Sequence, residues 1–397
     1  MGMQHHRKHD SEPGYGECIT ILDPLVLMQT RAVRPGSDGE SRQEFKPLFT
    51  YPIFGEREVV FGYKKFSIQL QFASGSLRIH PRIDYASQWQ PSSSSSATVT
   101  QEIPAADDIM GMLKDYLPSD CISNSDEFAR IVQQDHETFQ PIGEKVHEYS
   151  RETEDGQEIH FELYRSTFVN EQFREYHRRM RIFVLLFIEG ASYIEDDDEK
   201  WEVFTVFNRQ GKGESASYHF VGFCTAYPHF FWPECTRFRI SQFVILPPYQ
   251  NQGHGSELYR FIYQTCMARS DVKEMPVEDP NDEFSDMRDK NDLRYLREHH
   301  AFDDLKAPVS REKIKELSSK FKLTERQFQR CLEMHLLSQV NKLDRQAYKQ
   351  FRLQVKRRLY LFNLDALRTL DPEDRKEKLH QTYEGVIEDY HRLLEIV

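Results

Sequence analysis

Long apolar runs are scarce in this sequence. The longest, Ile182 to Ile188, is far too short to cross a bilayer, so no membrane anchor is expected. No signal peptide is visible, and Met1-Gly2-Met3-Gln4-His5-His6 lacks the Ser or Thr of a myristoylation motif. Cysteine is sparse: six residues, Cys18, Cys121, Cys224, Cys235, Cys266 and Cys331, with no CxxC pair. The chain is not a small secreted disulfide scaffold, and the scattered cysteines point to reduced thiols in cytosol or nucleus. Basic charge is outweighed, 52 Lys and Arg against 64 Asp and Glu, for a net −12. The balance argues against non-specific nucleic-acid binding and favours a basic partner or substrate. Glycine almost disappears after Pro308. The tail with His5, His6 and His9 reads as solvated, with metal binding as the weaker alternative.

What is present suits two or three domains in 397 residues. Residues 1–44 form a lead-in with one apolar patch, Ile19 to Met28. From Phe45 the chain is rich in aromatics. Phe66, Ile68, Leu70 and Phe72 alternate with polar residues, the period of a strand with one buried face. Gly75 turns the chain, and Leu77 to Tyr85 pairs back. Ser92 to Ser96 reads as a flexible insertion. Two short helices follow, one around Ile109, Met112, Leu113 and Tyr116. The other, around Phe128, Ile131 and Val132, is capped by Ser125 or Asn124. This N-terminal α/β domain covers 45–145.

The next segment, 146–305, mixes strands and helices. Ile159 to Ser166 reads as a strand. Apolar residues from Phe173 to Ala191 recur at helical spacing and predict one long buried helix. An acidic loop, Glu195 to Glu199, leads to an alternating strand, Trp201 to Asn208, with Tyr218 to Tyr227 as its hairpin partner. From 306 to 397 the chain is charged and amphipathic, which predicts a helical C-terminal domain. The fold class is α+β.

Within the middle segment, Arg239 to Tyr263 reads RISQFVILPPYQNQGHGSELYRFIY. A strand runs into Pro247-Pro248, which cannot extend a sheet ladder. Gly253 and Gly255 permit backbone shapes closed to other residues. A helix follows, with Leu258, Phe261, Ile262 and Thr265 at helical spacing. A strand, a glycine turn and a helix N-terminus together make an anion site, because unpaired N–H groups converge there. The missing Lys excludes a P-loop, and the spacing is not the dinucleotide GxGxxG.

Gln250-Asn251-Gln252-Gly253-His254-Gly255 resembles the Gln/Arg-x-x-Gly-x-Gly/Ala motif of the GCN5-related N-acetyltransferases. With VEDPNDEFSDMRDKND, FTYPIFGEREVVFGYK, FREYH and FIEGASYIEDDDEKW, the chain resembles the catalytic subunit of the type B histone acetyltransferases. The likeness runs from about Phe45 to the C-terminal helices. It implies a central fold of mixed, mostly antiparallel sheet with splayed parallel strands. It also implies transfer of acetyl from acetyl-CoA to lysines at the fifth and twelfth tail positions of newly made, free histone H-4. A WD40-propeller histone-binding partner, and residence in cytoplasm and nucleus, are implied as well. No metal and no direct nucleic acid are expected.

The resemblance assigns residues. Phe243, Val244 and Ile245 match the strand whose backbone meets the acetyl and pantetheine parts. Gln250, Asn251, Gln252, Gly253, His254, Gly255 and Ser256 match the pyrophosphate loop. Asn281 matches a cofactor-contacting position. Lys290 stands where some relatives place an Arg, keeping charge but losing the planar fork. Glu278 matches the family's general base. A carboxylate in a dry site has the raised pKa needed to take a proton from a lysine ammonium. Asp279 and Glu189 are the reserves. Glu56, Arg57 and Glu58, and Tyr227, Pro228 and His229, match segments that contact the histone tail. Relatives carry Tyr or Asn at Pro228 and His229. Trp201 and the acidic loop flank the same groove or are ordinary core and surface, two readings that stand level.

A covalent acetyl-cysteine route needs an activated thiolate, and the cysteines read as buried and inert. Lys349, Arg352, Lys356, Arg357 and Arg358 form a basic helix stretch, by default solvated or paired internally, with contact to a histone chaperone or other acidic partner as the sharper alternative. Two rivals to histone acetylation remain: acetylation of another amine, such as a polyamine, and an inactive histone adaptor keeping the fold.

Overall fold

The computed structural model describes residues 19–21, 25–31, 41–90, 105–153 and 155–397. The N-terminal histidines, Cys18 and the serine run lie outside the described residues. The chain divides into two compact units. One holds the described residues up to Phe223 together with Val244–Tyr249, and the other holds Cys224–Phe243 and Gln250–Val397.

The first unit opens with β1 (Ile19–Ile21), β2 (Leu25–Arg31) and β3 (Ser41–Phe45). Next come α1 (Tyr51–Phe54), β4 (Val59–Phe61), β5 (Tyr63–Lys64), β6 (Ser67–Ala73), β7 (Ile79–Asp84) and β8 (Ser87–Gln88). The alternation along β6 is what the pattern predicts: Ile68, Leu70 and Phe72 are fully buried. β6 pairs antiparallel with β7 and parallel with β2, in the order β3-β2-β6-β7. Helices α2 (Ile109–Lys114) and α3 (Ser125–Thr138) follow. The Asn124 side chain accepts from the N–H groups of Asp126 and Glu127, which fixes the start of α3. Phe128 and Val132 pack with Ala73 and Ile122 beneath the sheet.

β9 (Glu144–Glu152) and β10 (Glu158–Thr167) lead to α4 (Glu171–Met180) and α5 (Ile182–Phe187). The single long helix expected over Phe173–Ala191 is therefore two helices. The ladder tightens at Arg181, whose carbonyl accepts from Val184 N–H, and Ile188 is already extended. Every residue from Ile182 to Phe187 is buried, so tertiary packing decides the path against a β-branched, aromatic run. The Leu186 carbonyl accepts from Leu48 and Phe49 N–H, tying the N-terminal region to α5.

β11 (Glu202–Gln210), β12 (Ser217–Phe231) and β13 (Cys235–Ile245) come next. In β11 Val203–Asn208 are all buried, Thr205 and Asn208 included. Both faces of this strand are covered, so it lacks the one-sided burial its alternation suggests. A 3₁₀ turn at Pro247–Tyr249 ends the strand run, and α6 (His254–Ala268), β14 (Val272–Glu274) and α7 (Asp282–Glu298) follow. The larger sheet runs β14-β13-β12-β11-β10-β9. Its β9–β10 and β10–β11 pairs are antiparallel and its β13–β14 pair is parallel. The sheet is mixed, as expected for the acetyltransferase fold.

The C-terminal region is helical: α8 (Arg311–Lys320), α9 (Glu325–Gln339), α10 (Arg345–Phe362), α11 (Leu364–Arg368) and α12 (Pro372–Glu395). Asp371 caps α12, with Pro372 in its first turn, where a missing N–H costs nothing. A buried polar network joins these helices to α7. Gln327 donates to Asp289 and Asp292 at 2.9 Å. Arg358 grips Glu333 at 2.8 and 2.7 Å, and the Tyr390 hydroxyl donates to Glu333 at 2.8 Å.

Candidate active site

β13 presents two faces. Phe238, Ile240, Gln242 and Val244 are buried, while Arg239, Ser241, Phe243 and Ile245 are half-buried on the alternate face. Near its end the strand lies so close to β12 that a Cβ on Gly222 would fall 2.3 Å from the Val244 carbonyl. The turn then uses two left-handed residues, Asn251 at φ 59° and Gly253 at φ 85°. Gly255 needs no such freedom, because it already lies inside α6. Gly253 is the N-cap of α6 and brings no side chain to cap the first turn. A helix N-terminus that opens on a glycine lets an anion approach its N–H groups closely.

Both ends of α6 are fixed. Asn291 of α7, 6% exposed, donates its Nδ2 to Ser256 Oγ at 3.0 Å in the first turn. Lys322 donates to the carbonyls of Cys266, Met267 and Arg269 at the last turn, where a cation suits the helix dipole.

The parallel pairing of β13 with β14 runs Thr236↔Val272 and Arg237↔Glu274 and closes with the bridge Ile240↔Val277. Ile240 donates to Pro276 O at 3.0 Å and accepts from Glu278 N at 2.9 Å. Beyond it the two segments part. Asp279 adopts φ 33° ahead of Pro280, and Asn281 caps α7 by accepting from Phe284 N at 3.0 Å. Among the described residues no bridge pairs β13 with this segment past Ile240. The Phe243 and Phe284 rings meet there edge to face at 5.0 Å. This is the splay the family resemblance implies.

Glu278 stands where the strands part. Its carboxylate accepts from the Ser241 hydroxyl, and Arg239 Nη2 lies 3.3 Å away. The side chain is 39% exposed, which corrects the expectation of a dry site. Two neighbours on one strand face orient it; desolvation does not. Asp279 and Asn281 are exposed and Lys290 is half-buried on α7.

Tyr227, Pro228 and His229 are half-buried on β12. The Tyr227 and His229 rings meet at 4.7 Å. Burial holds the His229 imidazole below its usual pKa; nearby Arg239 adds to this and Glu278 opposes it. Arg239 and Ser241 are the residues the sequence reading missed. The available signal was their position: both alternate with the apolar residues of β13 and so share one face.

The remaining candidates lie in the first unit. Glu56, Arg57 and Glu189 are exposed. Glu58, at φ 49°, accepts from Thr50 N, Thr50 Oγ1 and Tyr51 N at 2.9, 2.7 and 3.0 Å. These hydrogen bonds hold its carboxylate below the usual range, and one of its oxygens braces the Thr50 turn. The Tyr51 hydroxyl accepts from Gly190 N at 2.8 Å, so the 50–58 segment and the Glu189-Gly190 turn are joined. Trp201 is half-buried ahead of β11. In the acidic loop Asp196 pairs with Arg178 at 2.7 Å, so part of that loop is structural.

Cys224, Cys266 and Cys331 are fully buried. Burial pushes the Cys224 and Cys331 thiols well up, and raises Cys121 to about 11. Burial therefore disfavours the thiolate at Cys121, Cys224 and Cys331.

The chain matches three family descriptions: "Histone acetyl transferase HAT1 N-terminus" over residues 25–189, "Acetyltransferase (GNAT) family" over 161–283, and "Fungal HAT1, C-terminal" over 289–341. The histone acetyltransferase type B catalytic subunit of Cryptococcus neoformans is 41% identical, covering 94% of this chain and 97% of its own. Those of Kluyveromyces lactis and Homo sapiens are 36% and 30% identical, covering 90% and 93% of this chain and 88% and 92% of their own. The acetyltransferase domain implies use of acetyl-CoA, and the α6 N-terminus opening on Gly253 and the splayed β13 fit that co-substrate. On the sequence likeness and this geometry together, the chain belongs to the family of type B histone acetyltransferase catalytic subunits.

Proposed function

We propose that the chain acetylates lysine side chains of free histone H-4, at the fifth and twelfth tail positions, by direct attack in a ternary complex. One observation carries this reading: Glu278 emerges where β13 and its parallel neighbour part, with its carboxylate held by Ser241 and Arg239. A lysine ammonium, with a pKa near ~10.4, must lose a proton before its nitrogen can attack. Glu278 takes that proton directly or through a water, which its partial exposure allows. Asp279 and Glu189 are second choices for the same task. The α6 N-terminus and residues 250–256 bind the pyrophosphate of acetyl-CoA, which supplies the acetyl group. Phe243, Val244 and Ile245 offer backbone groups to its pantetheine arm, and Asn281 and Lys290 lie on the same bound molecule. The buried, protonated thiols support direct attack over an acetyl-cysteine route.

Glu56, Arg57, Glu58, Tyr227, Pro228, His229 and Trp201 bind the tail. The −12 net charge suits a basic substrate. A WD40-propeller histone-binding subunit is the partner, and the complex works in cytoplasm and nucleus. The test uses purified chain and labelled acetyl-CoA, offered histone H-4 tail peptide and spermine separately. Label on the peptide at the two lysines is expected. Label on spermine alone points to a different amine, and no label on either points to an adaptor.

A further inference from the structure

Helix α10 is an anomaly of charge. In a chain of net −12, it carries Arg345, Lys349, Arg352, Lys356, Arg357 and Arg358 and no acidic residue. Two of these are used internally. Arg358 holds Glu333, and Lys356 lies 5.1 Å over the Tyr383 ring. The other four are exposed, and none forms an ion pair among the described residues. Phe351, Val355 and Leu359 bury the inner face. On the outer face Lys349, Leu353, Arg357 and Leu361 follow one another at intervals of four, a single row along the helix. Leu353 is 52% exposed and Leu361 is 59% exposed. Phe362, 60% exposed, extends the apolar surface at the helix end, under the Arg326 guanidinium.

A solvated helix face has no use for leucines between its cations, and mixes its charges. We propose that this outer face of α10 is a docking surface for an acidic polypeptide segment that carries two apolar side chains about 12 Å apart, two helical turns. The cations attract and orient the segment, and the leucines supply the anchors. Nucleic acid fits less well, because a phosphate backbone offers nothing to Leu353 and Leu361. A second copy of this face is disfavoured, because it would set arginine against arginine.

The test measures anisotropy of a labelled synthetic peptide, helical and glutamate-rich with two leucines two turns apart, titrated with the full chain. Saturable binding is expected. The pair Leu353→Ser with Leu361→Ser, and separately Arg357→Glu, should each weaken it by at least about tenfold. Thermal melting and acetyl transfer to a histone peptide should stay at wild-type levels, and Lys349→Glu serves if Arg357→Glu misfolds. The proposal is overturned if the wild type shows no saturable binding, or if both variants bind as well as wild type. It is equally overturned if duplex DNA binds and only the charge reversals, not the leucine pair, matter.

Discussion

Arg239 and Glu278 face each other across the last rung of a parallel strand pair, with guanidinium and carboxylate 3.3 Å apart. Ile240, next to Arg239, makes that rung: its carbonyl accepts from Glu278 N at 2.9 Å. Ser241 follows and donates its hydroxyl to the same carboxylate. Three successive residues of β13 therefore fix the backbone and side chain of Glu278, at the point where the two segments separate.

Under the proposed function, Arg239 and Ser241 act as positioning residues for Glu278. Ser241→Ala should lower kcat roughly fivefold, the loss of one hydrogen bond of about 1 kcal/mol, and Arg239→Gln should lower it by no more than that, the loss of a partly exposed ion pair. KM for acetyl-CoA should not move. Steady-state kinetics with both substrates varied decides this, and an unchanged kcat in both variants would remove the positioning role.

The α6 N-terminus makes a separate prediction. Gly253 at φ 85° has no Cβ to strain the turn. Gly253→Ala should cost roughly 1 kcal/mol in stability and raise KM for acetyl-CoA. Asn291→Leu removes the 3.0 Å tether to Ser256 and should raise the same KM severalfold with little change in kcat. Isothermal titration of acetyl-CoA into each variant reads the effect directly.

The Glu333–Arg358–Tyr390 cluster should dominate the stability of the C-terminal helices. The Glu333 side chain is 2% exposed and that of Arg358 16%. Glu333→Gln leaves a buried guanidinium without its carboxylate, a loss of about 3–5 kcal/mol. Glu333→Met with Arg358→Met should recover much of it. Urea unfolding of Glu333→Met, Arg358→Met and the double compares them, and simple additivity would contradict the reading.

His177 gives the fold an acid sensitivity. It is fully buried, packs edge-on to Phe168 at 4.8 Å, and neither ring nitrogen has a hydrogen-bond partner. Burial lowers its pKa to about 3. The unfolded chain takes up a proton near 6.5, which the folded chain refuses. Stability at this site is complete above about 6.5 and falls as pH drops toward 3. His177→Phe should therefore gain about 2 kcal/mol on wild type between pH 7 and pH 5. Denaturant unfolding at the two pH values measures the difference, and a gap independent of pH would contradict it.

Much of this was legible in the sequence, for identifiable reasons. The alternation Phe66-Ile68-Leu70-Phe72, the Asn124 cap and the Asp371-Pro372 boundary are local signals, and local geometry obeys them. The QNQGHG turn was legible because a left-handed Gly253 and a helix start are encoded within a few residues. The break at Arg181 was not, because all of Ile182–Phe187 is buried and the surroundings, rather than the helical period, set the path. Glu278 is assigned by the resemblance, and its partial exposure differs from the dry site expected for it. Arg239 and Ser241 lie 39 and 37 residues away in sequence, and only the β13–β14 pairing brings them to it. The Arg358 partner, Glu333, sits on another helix, so its internal use was equally hidden.

Under the proposed function, Glu278 takes the proton from the attacking lysine. The most direct measurement is the single-turnover rate of acetyl transfer to a histone H-4 tail peptide, with wild type and Glu278→Gln each saturated with acetyl-CoA. The expected result is a fall of about 10²–10⁴-fold in the variant, with acetyl-CoA affinity unchanged. A Glu278→Gln enzyme that transfers acetyl at the wild-type rate would contradict it.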